Sequence, residues 1–148
     1  MKKLIFDLWT ARVLVIIGVV LALGPIGATF RHIGNENTLL ITSSSHSWHH
    51  FFREGVGDLA ALAILLAVMF ASPRYRNPMA WWLMMVAFVG FYAPFRIGTP
   101  FMAELAAPSL SAEIQHLQTA IPTALGCFLA RRHFMNSPPA ASSGETTA

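Results

Sequence analysis

The chain has 148 residues, of which 55% are hydrophobic and only 11% charged, and its mean hydropathy is +0.54. Soluble domains carry roughly 25% charged residues, so the composition argues against one; the ten Lys and Arg lie scattered between apolar runs and form no basic face for nucleic acid, despite a pI near 9.6. The single Cys127 excludes a disulfide framework or a cysteine-built metal centre within one chain.

Uncharged runs cover residues 13–30, 59–73, 77–95 and 114–130. A helix that crosses the hydrocarbon of a bilayer needs about 20 residues. The sequence therefore predicts an all-α fold, an integral membrane four-helix bundle. Its four-span domain covers 1–134, with spans near 9–30, 47–72, 78–96 and 110–131. A Pro/Ser/Ala-rich tail over 135–148 is expected to be disordered and cytoplasmic.

The first span contains Gly24-Pro25, which predicts a kink. The second falls short of membrane thickness unless it draws in Glu54 and Asp58. "SPRYRNP" (72–78) is a polar turn with two prolines and ends it. After the third span, "IGTPFMAELAAPSLS" (97–111) forms the second outer connection. Ser109 or Ser111 is placed to cap the fourth helix, with Glu113 in its first turn, where the helix dipole favours an anion. Pro122 predicts a second kink.

Orientation follows from Lys and Arg. With four spans, Lys2, Lys3, Arg12, Arg74, Arg76, Arg131 and Arg132 share one side, against Arg31, Arg53 and Arg96 on the other. Positive charge concentrates in the cytoplasm, so both termini are expected inside, in the inner membrane of a bacterium. In a competing reading "MKK" and the apolar run after it form a signal peptide cleaved near Ile26-Gly-Ala28, which would leave three spans.

The other ionisable groups divide unequally. Glu36, Glu54, Asp58, Glu104 and Glu113 fall on the outer side, with His32, His46, His49, His50 and His116; Asp7, Glu145 and His133 are left inside. On a helix His46, His50, Glu54 and Asp58 recur every four residues and share a face, with Gly57 on the same side to admit a close neighbour. His116, Thr119, Thr123 and Gly126 form a similar stripe on the fourth helix. Charge facing lipid is costly, so the two stripes are expected to face each other. Two carboxylates one turn apart do not both ionise cheaply in low dielectric, so Asp58 and Glu54 call for a proton or a cation, with Arg96 the first expected partner. The candidate site is Asp58, Glu54 and His116 for acid–base chemistry, and Arg96, Glu113, His50 and Arg53 for binding.

The expected function is to bind, and by acid–base chemistry to convert, a small lipophilic molecule in an outward-facing pocket within the membrane. Trp48, Phe51 and Phe52 would form an aromatic belt or a lid over it. The main alternative is an accessory or scaffold subunit of a larger membrane complex, or a homo-oligomer, in which the polar stripe packs on a partner. Another is a metal or haem protein. Glu113-Ile-Gln-His116 has the Glu-x-x-His spacing of bundle metal sites, His50 and Glu54 would add a pair from the second helix, and His116 opposite His50 has the arrangement of a bis-histidine haem. A di-iron site needs two such motifs, and the chain has one. No nucleophile elbow or phosphate-binding glycine loop occurs, and no cofactor is specified. The layout resembles that of small four-helix bacterial membrane proteins, DoxX-like and EXPERA-like proteins among them; no diagnostic motif matches, so no residue role is carried over.

Overall fold

The computed structural model describes residues 8–35 and 44–136, and these contain helices and no strand. Helix α1 spans Leu8–Arg31, α2 Ser44–Met69, α3 Pro78–Tyr92, the short α4 Pro94–Gly98 and α5 Leu110–Met135. Two 3₁₀ turns, Pro73–Tyr75 and Ala103–Leu105, sit in the connections. Of these helices only α1, 24 residues long with an 18-residue stretch of mean hydropathy 2.5, is long and apolar enough to cross a membrane unaided.

Local chemistry sets the boundaries. Asn77 is extended and its side chain accepts from the Ala80 amide at 2.9 Å, with Pro78 opening α3 where a missing N–H does no harm. Ser109, not Ser111, caps α5 by accepting from the Ala112 amide at 3.2 Å, and Glu113 follows in the first turn. The third span differs most from expectation. It was predicted as one helix over 78–96, but α3 stops at Tyr92 and the chain restarts as α4 behind Pro94. Proline has no N–H for the carbonyl four residues back and its ring crowds the preceding turn. Pro25 and Pro122, by contrast, lie inside continuous helices. α5 also runs to Met135 rather than ending near 131. Most of the tail lies outside the described residues, as do Lys2, Lys3, Asp7, Glu36, Ser43 and Glu145.

The four long helices close into an antiparallel ring. α1 packs on α2 and α5, and α3 packs on the same two, so α2 and α5 stand diagonally opposite. The tightest seam joins α1 and α5 through small residues. A Cβ on Gly126 would lie 2.6 Å from the Ala11 carbonyl oxygen, and one on Gly18 would lie 2.7 Å from the Thr119 carbonyl oxygen. Val15, Ala22, Cys127 and Ala130 are buried in or beside this seam. On the other side of α1, Gly55 of α2 accommodates the Phe30 ring, which a Cβ would approach to 2.6 Å. The expectation for Gly57 is corrected accordingly: it meets nothing within 4 Å, and Gly55 is the glycine at a close approach.

The antiparallel ring separates two chemically distinct ends. At one end, Arg12 Nε donates to the Met69 carbonyl at 3.2 Å and Arg76 Nε to the Ala71 carbonyl at 3.0 Å, which satisfies carbonyls at the C-terminus of α2. Arg131 lies over the Trp81 ring, and Trp81 Nε1 donates to the Cys127 carbonyl at 3.1 Å, tying α3 to α5. At the other end His32 packs on Phe51, with ring centroids 5.0 Å apart, and Phe30 meets Phe52 edge-on. Phe51 is buried and Phe52 exposed, so the expected aromatic belt is half packing. Large apolar side chains such as Ile17, Val20, Val86, Ile121 and Leu125 point outward along the waist between the two ends.

Candidate functional site

Between the four long helices, toward the end that carries Phe30 and Phe51, lies a cavity of about 410 Å³. Ala22, Pro25 and Ile26 of α1 line it, with Phe91 of α3 and Pro94 of α4, Glu54 and Asp58 of α2, and Ala112, Gln115, His116 and Thr119 of α5. It exists because α2 and α5 are diagonal and do not close on each other, while α3 ends early. The walls are mostly hydrocarbon, and Glu54, Asp58 and His116 supply the titratable groups. The volume falls within the usual range for small-molecule sites, about 300–1,000 Å³.

The three residues expected to carry acid–base chemistry thus line one cavity. Glu54 lies toward the open side and is exposed, whereas Asp58, one turn deeper, is half-buried. His116 is also half-buried and is fixed by the helix break. In a continuous helix the Arg96 amide would bond the Tyr92 carbonyl; here it bonds the Ala93 carbonyl at 2.9 Å. His116 Nε2 then contacts the Tyr92 carbonyl. A carbonyl only accepts, so Nε2 carries the proton, and Nδ1 is the basic nitrogen of the neutral ring. Below it, Thr119 Oγ1 donates to the His116 carbonyl at 2.7 Å. Thr123 Oγ1 stands 2.9 Å from the Thr119 carbonyl and 3.1 Å from the Tyr92 hydroxyl. Its single proton goes to the carbonyl, so the buried Tyr92 phenol donates to Thr123.

The four binding candidates do not join this group. Arg96 pairs with Glu113, which corrects the expectation that it would meet Asp58 or Glu54. This pair sits at the rim, with side-chain exposures of 62% and 22%, because α4 carries Arg96 out past the break to the first turn of α5. His50 and Arg53 are neighbours on α2, with Arg53 Nη2 3.2 Å from His50 Nδ1, and neither lines the cavity.

The second expected feature, two polar stripes face to face, is corrected too. On α5 only His116 and Thr119 reach the cavity; Thr123 and Gly126 turn toward α1, where Gly18 and Val15 receive them. The Glu-x-x-His spacing does not form a ligand pair, since Arg96 holds Glu113 and the Tyr92 carbonyl holds His116. Among the described residues no three His, Cys, Asp or Glu side chains converge as metal ligands. The side chains of His46 and Glu104 lie outside what is described.

Sequence reasoning missed Tyr92, Phe91, Pro94, Pro25, Gln115 and Ala22 as parts of the site. Pro94 carried a legible signal, a helix breaker inside an apolar run. The rest are apolar or neutral residues that only the packing brings to one place.

No protein-family model, curated protein or solved structure matches the chain.

Proposed function

We propose that this is a multi-pass inner-membrane protein that binds a small lipophilic molecule in the cavity lined by Glu54, Asp58 and His116. The carrying observation is that one cavity, walled mainly by hydrocarbon, brings two carboxylic acids and an imidazole together from opposite helices.

The membrane part of the reading rests on the outer surface. Outward-facing Trp, Val, Leu and Phe side chains on α1, α3 and α5 form the kind of apolar waist that water does not tolerate over such an area. α2 and α5, 26 residues each, are about 39 Å long, enough to cross a hydrocarbon core of about 30 Å. α3 and α4, with 15 and 5 residues, together add up to about 30 Å of helix. The basic end, with Arg12, Arg74, Arg76 and Arg131, is then cytoplasmic and the cavity opens outward. This reading keeps α1 as a span, which its packing on both α2 and α5 and its place in one wall of the cavity support.

In this frame Asp58 lies 11 residues before Met69, the end of α2, or about 16 Å along the helix, close to mid-membrane. A carboxyl group at that depth is costly against lipid and is tolerated where it faces a cavity. The ligand is a molecule of mostly apolar surface with one hydroxyl or amine that reaches Asp58 or Glu54. With carboxyl groups on one wall and an imidazole on the other, the cavity also has groups that can give and take a proton in converting such a molecule.

Native mass spectrometry of the protein extracted in mild detergent tests the reading. The wild type should carry a small lipophilic mass. Asp58→Asn, which removes the charge and keeps the shape, should lose it while still inserting, and so should Ala112→Phe, which fills the mouth. A wild type with no adduct, or an adduct kept by both variants, would refute the assignment.

A further inference from the structure

Outside the central cavity, a second furrow of about 510 Å³ runs along the groove between α1 and α5. Its floor is apolar, formed by Leu21, Gly24 and Ala28, and a Cβ on Gly24 would meet nothing within 4 Å. Its outer end carries Arg31, and its α5 side carries the amides of Gln115 and Gln118. Leu21 and Arg31 are ten residues apart, about 15 Å along the helix. The antiparallel pairing of Gly18 with Thr119 and of Gly126 with Val15 sets Gln115 level with Gly24 and Gln118 level with Leu21, so the furrow has a guanidinium at its outer end and, deeper, an apolar floor flanked on the α5 side by two amides.

We propose that this furrow holds an anionic phospholipid of the surrounding membrane, with its phosphate on Arg31, its glycerol-ester oxygens on the deeper amides of Gln115 and Gln118, and the start of one acyl chain along Leu21, Gly24 and Ala28. The proposal rests on the membrane reading above, not on the identity of the cavity ligand. Charge complementarity selects the occupant. Arg31 is exposed, and among the described residues it has no ion-pair partner. A guanidinium matches the oxygens of a phosphodiester, and the amides further in suit the ester carbonyls that follow it in a phospholipid. The headgroup should also be net anionic. The acid of the first turn of α5, Glu113, is held by Arg96, and no Asp or Glu is among the residues lining the furrow, so among the described residues a choline or ethanolamine cation meets no carboxylate there. The furrow and the central cavity share Pro25, Gln115 and Thr119 as a common wall, so a bound lipid would lie directly beside the ligand site.

The test uses the full chain reconstituted in vesicles of phosphatidylcholine alone or mixed equally with phosphatidylglycerol. The protein is then released into mild detergent for native mass spectrometry. The wild type should retain phosphatidylglycerol in preference to phosphatidylcholine. Arg31→Gln should lower that retention about tenfold, the loss of one charge-assisted contact, while Arg31→Lys should keep part of it. Arg74→Gln, at the opposite end, should match the wild type. Equal retention of the two lipids, or an Arg31→Gln variant that retains phosphatidylglycerol as the wild type does, overturns the proposal. So does displacement of the lipid by inorganic phosphate, which would mark a simple anion site. Failure of the membrane reading is seen separately, as protein that does not float with phosphatidylcholine vesicles.

Discussion

Gly126 offers the most direct test of the helix arrangement, because two physical effects there oppose each other and the structure decides which one wins. Replacing a helix-interior glycine by alanine normally stabilises by up to about 1 kcal/mol. At Gly126 the new methyl would sit 2.6 Å from the Ala11 carbonyl oxygen, 2.7 Å from Val15 Cγ2 and 3.1 Å from the Val15 amide nitrogen. Two of those atoms are backbone and cannot rotate aside, so α1 must retreat by the better part of an ångström. A gap of about 0.5–1 Å forfeits a quarter to a half of the dispersion attraction along the seam, and overpacking of this kind costs about 1–3 kcal/mol. The net expectation for Gly126→Ala is a destabilisation of up to about 2 kcal/mol after the full propensity gain of about 1 kcal/mol is subtracted. Gly90→Ala is the control, since a Cβ there meets nothing within 4 Å; it should be neutral or gain up to about 1 kcal/mol. Thermal unfolding in detergent can be followed by tryptophan fluorescence, with Trp81 bonded to the residue next to Gly126. A Gly126→Ala variant as stable as Gly90→Ala would refute the α1–α5 seam and with it the placement of His116 opposite α1.

Arg96→Ala should lower stability by no more than about 1 kcal/mol, because its partner Glu113 lies at an exposed rim where ion pairs contribute little; unfolding that requires several kcal/mol less would show that Arg96 has a buried partner instead. His116→Ala should cost about 1–3 kcal/mol, since it orphans the Tyr92 carbonyl at the helix break, and His116→Gln, which keeps an N–H of similar reach, should recover part of it. Equal melting temperatures for the wild type and His116→Ala would show that the Tyr92 carbonyl finds another donor and that His116 is free of the break.

The helices were legible because uncharged runs and Pro or Ser punctuation act locally. The Asn77 and Ser109 caps and the turn over Pro73–Tyr75 need only neighbouring residues, and each of the four predicted spans has a helix at its place. That Asp58, Glu54 and His116 would come near one another, as they do in lining one cavity, was also legible through a different route: titratable groups gathered toward one end of apolar segments have few places to go. Which helix stands beside which was not legible. The faces of α1 carry no charge to read, and pairing was decided by glycine clearances at Gly18, Gly55 and Gly126 that depend on atoms from distant residues. The misplaced Arg96 has the same origin. Its sequence position puts it at the end of an apolar run, as if it were the last residue of a span that points back at α2. Pro94 ends α3 before that, and the restarted α4 swings Arg96 out to Glu113. The same break frees the Tyr92 carbonyl that orients His116. One proline thus withdraws the arginine expected to neutralise Asp58 and sets an imidazole in the wall across the cavity. Among the described residues lining the cavity no Arg or Lys accompanies Glu54 and Asp58, so the imidazole of His116 is the basic group that the fold sets across from them.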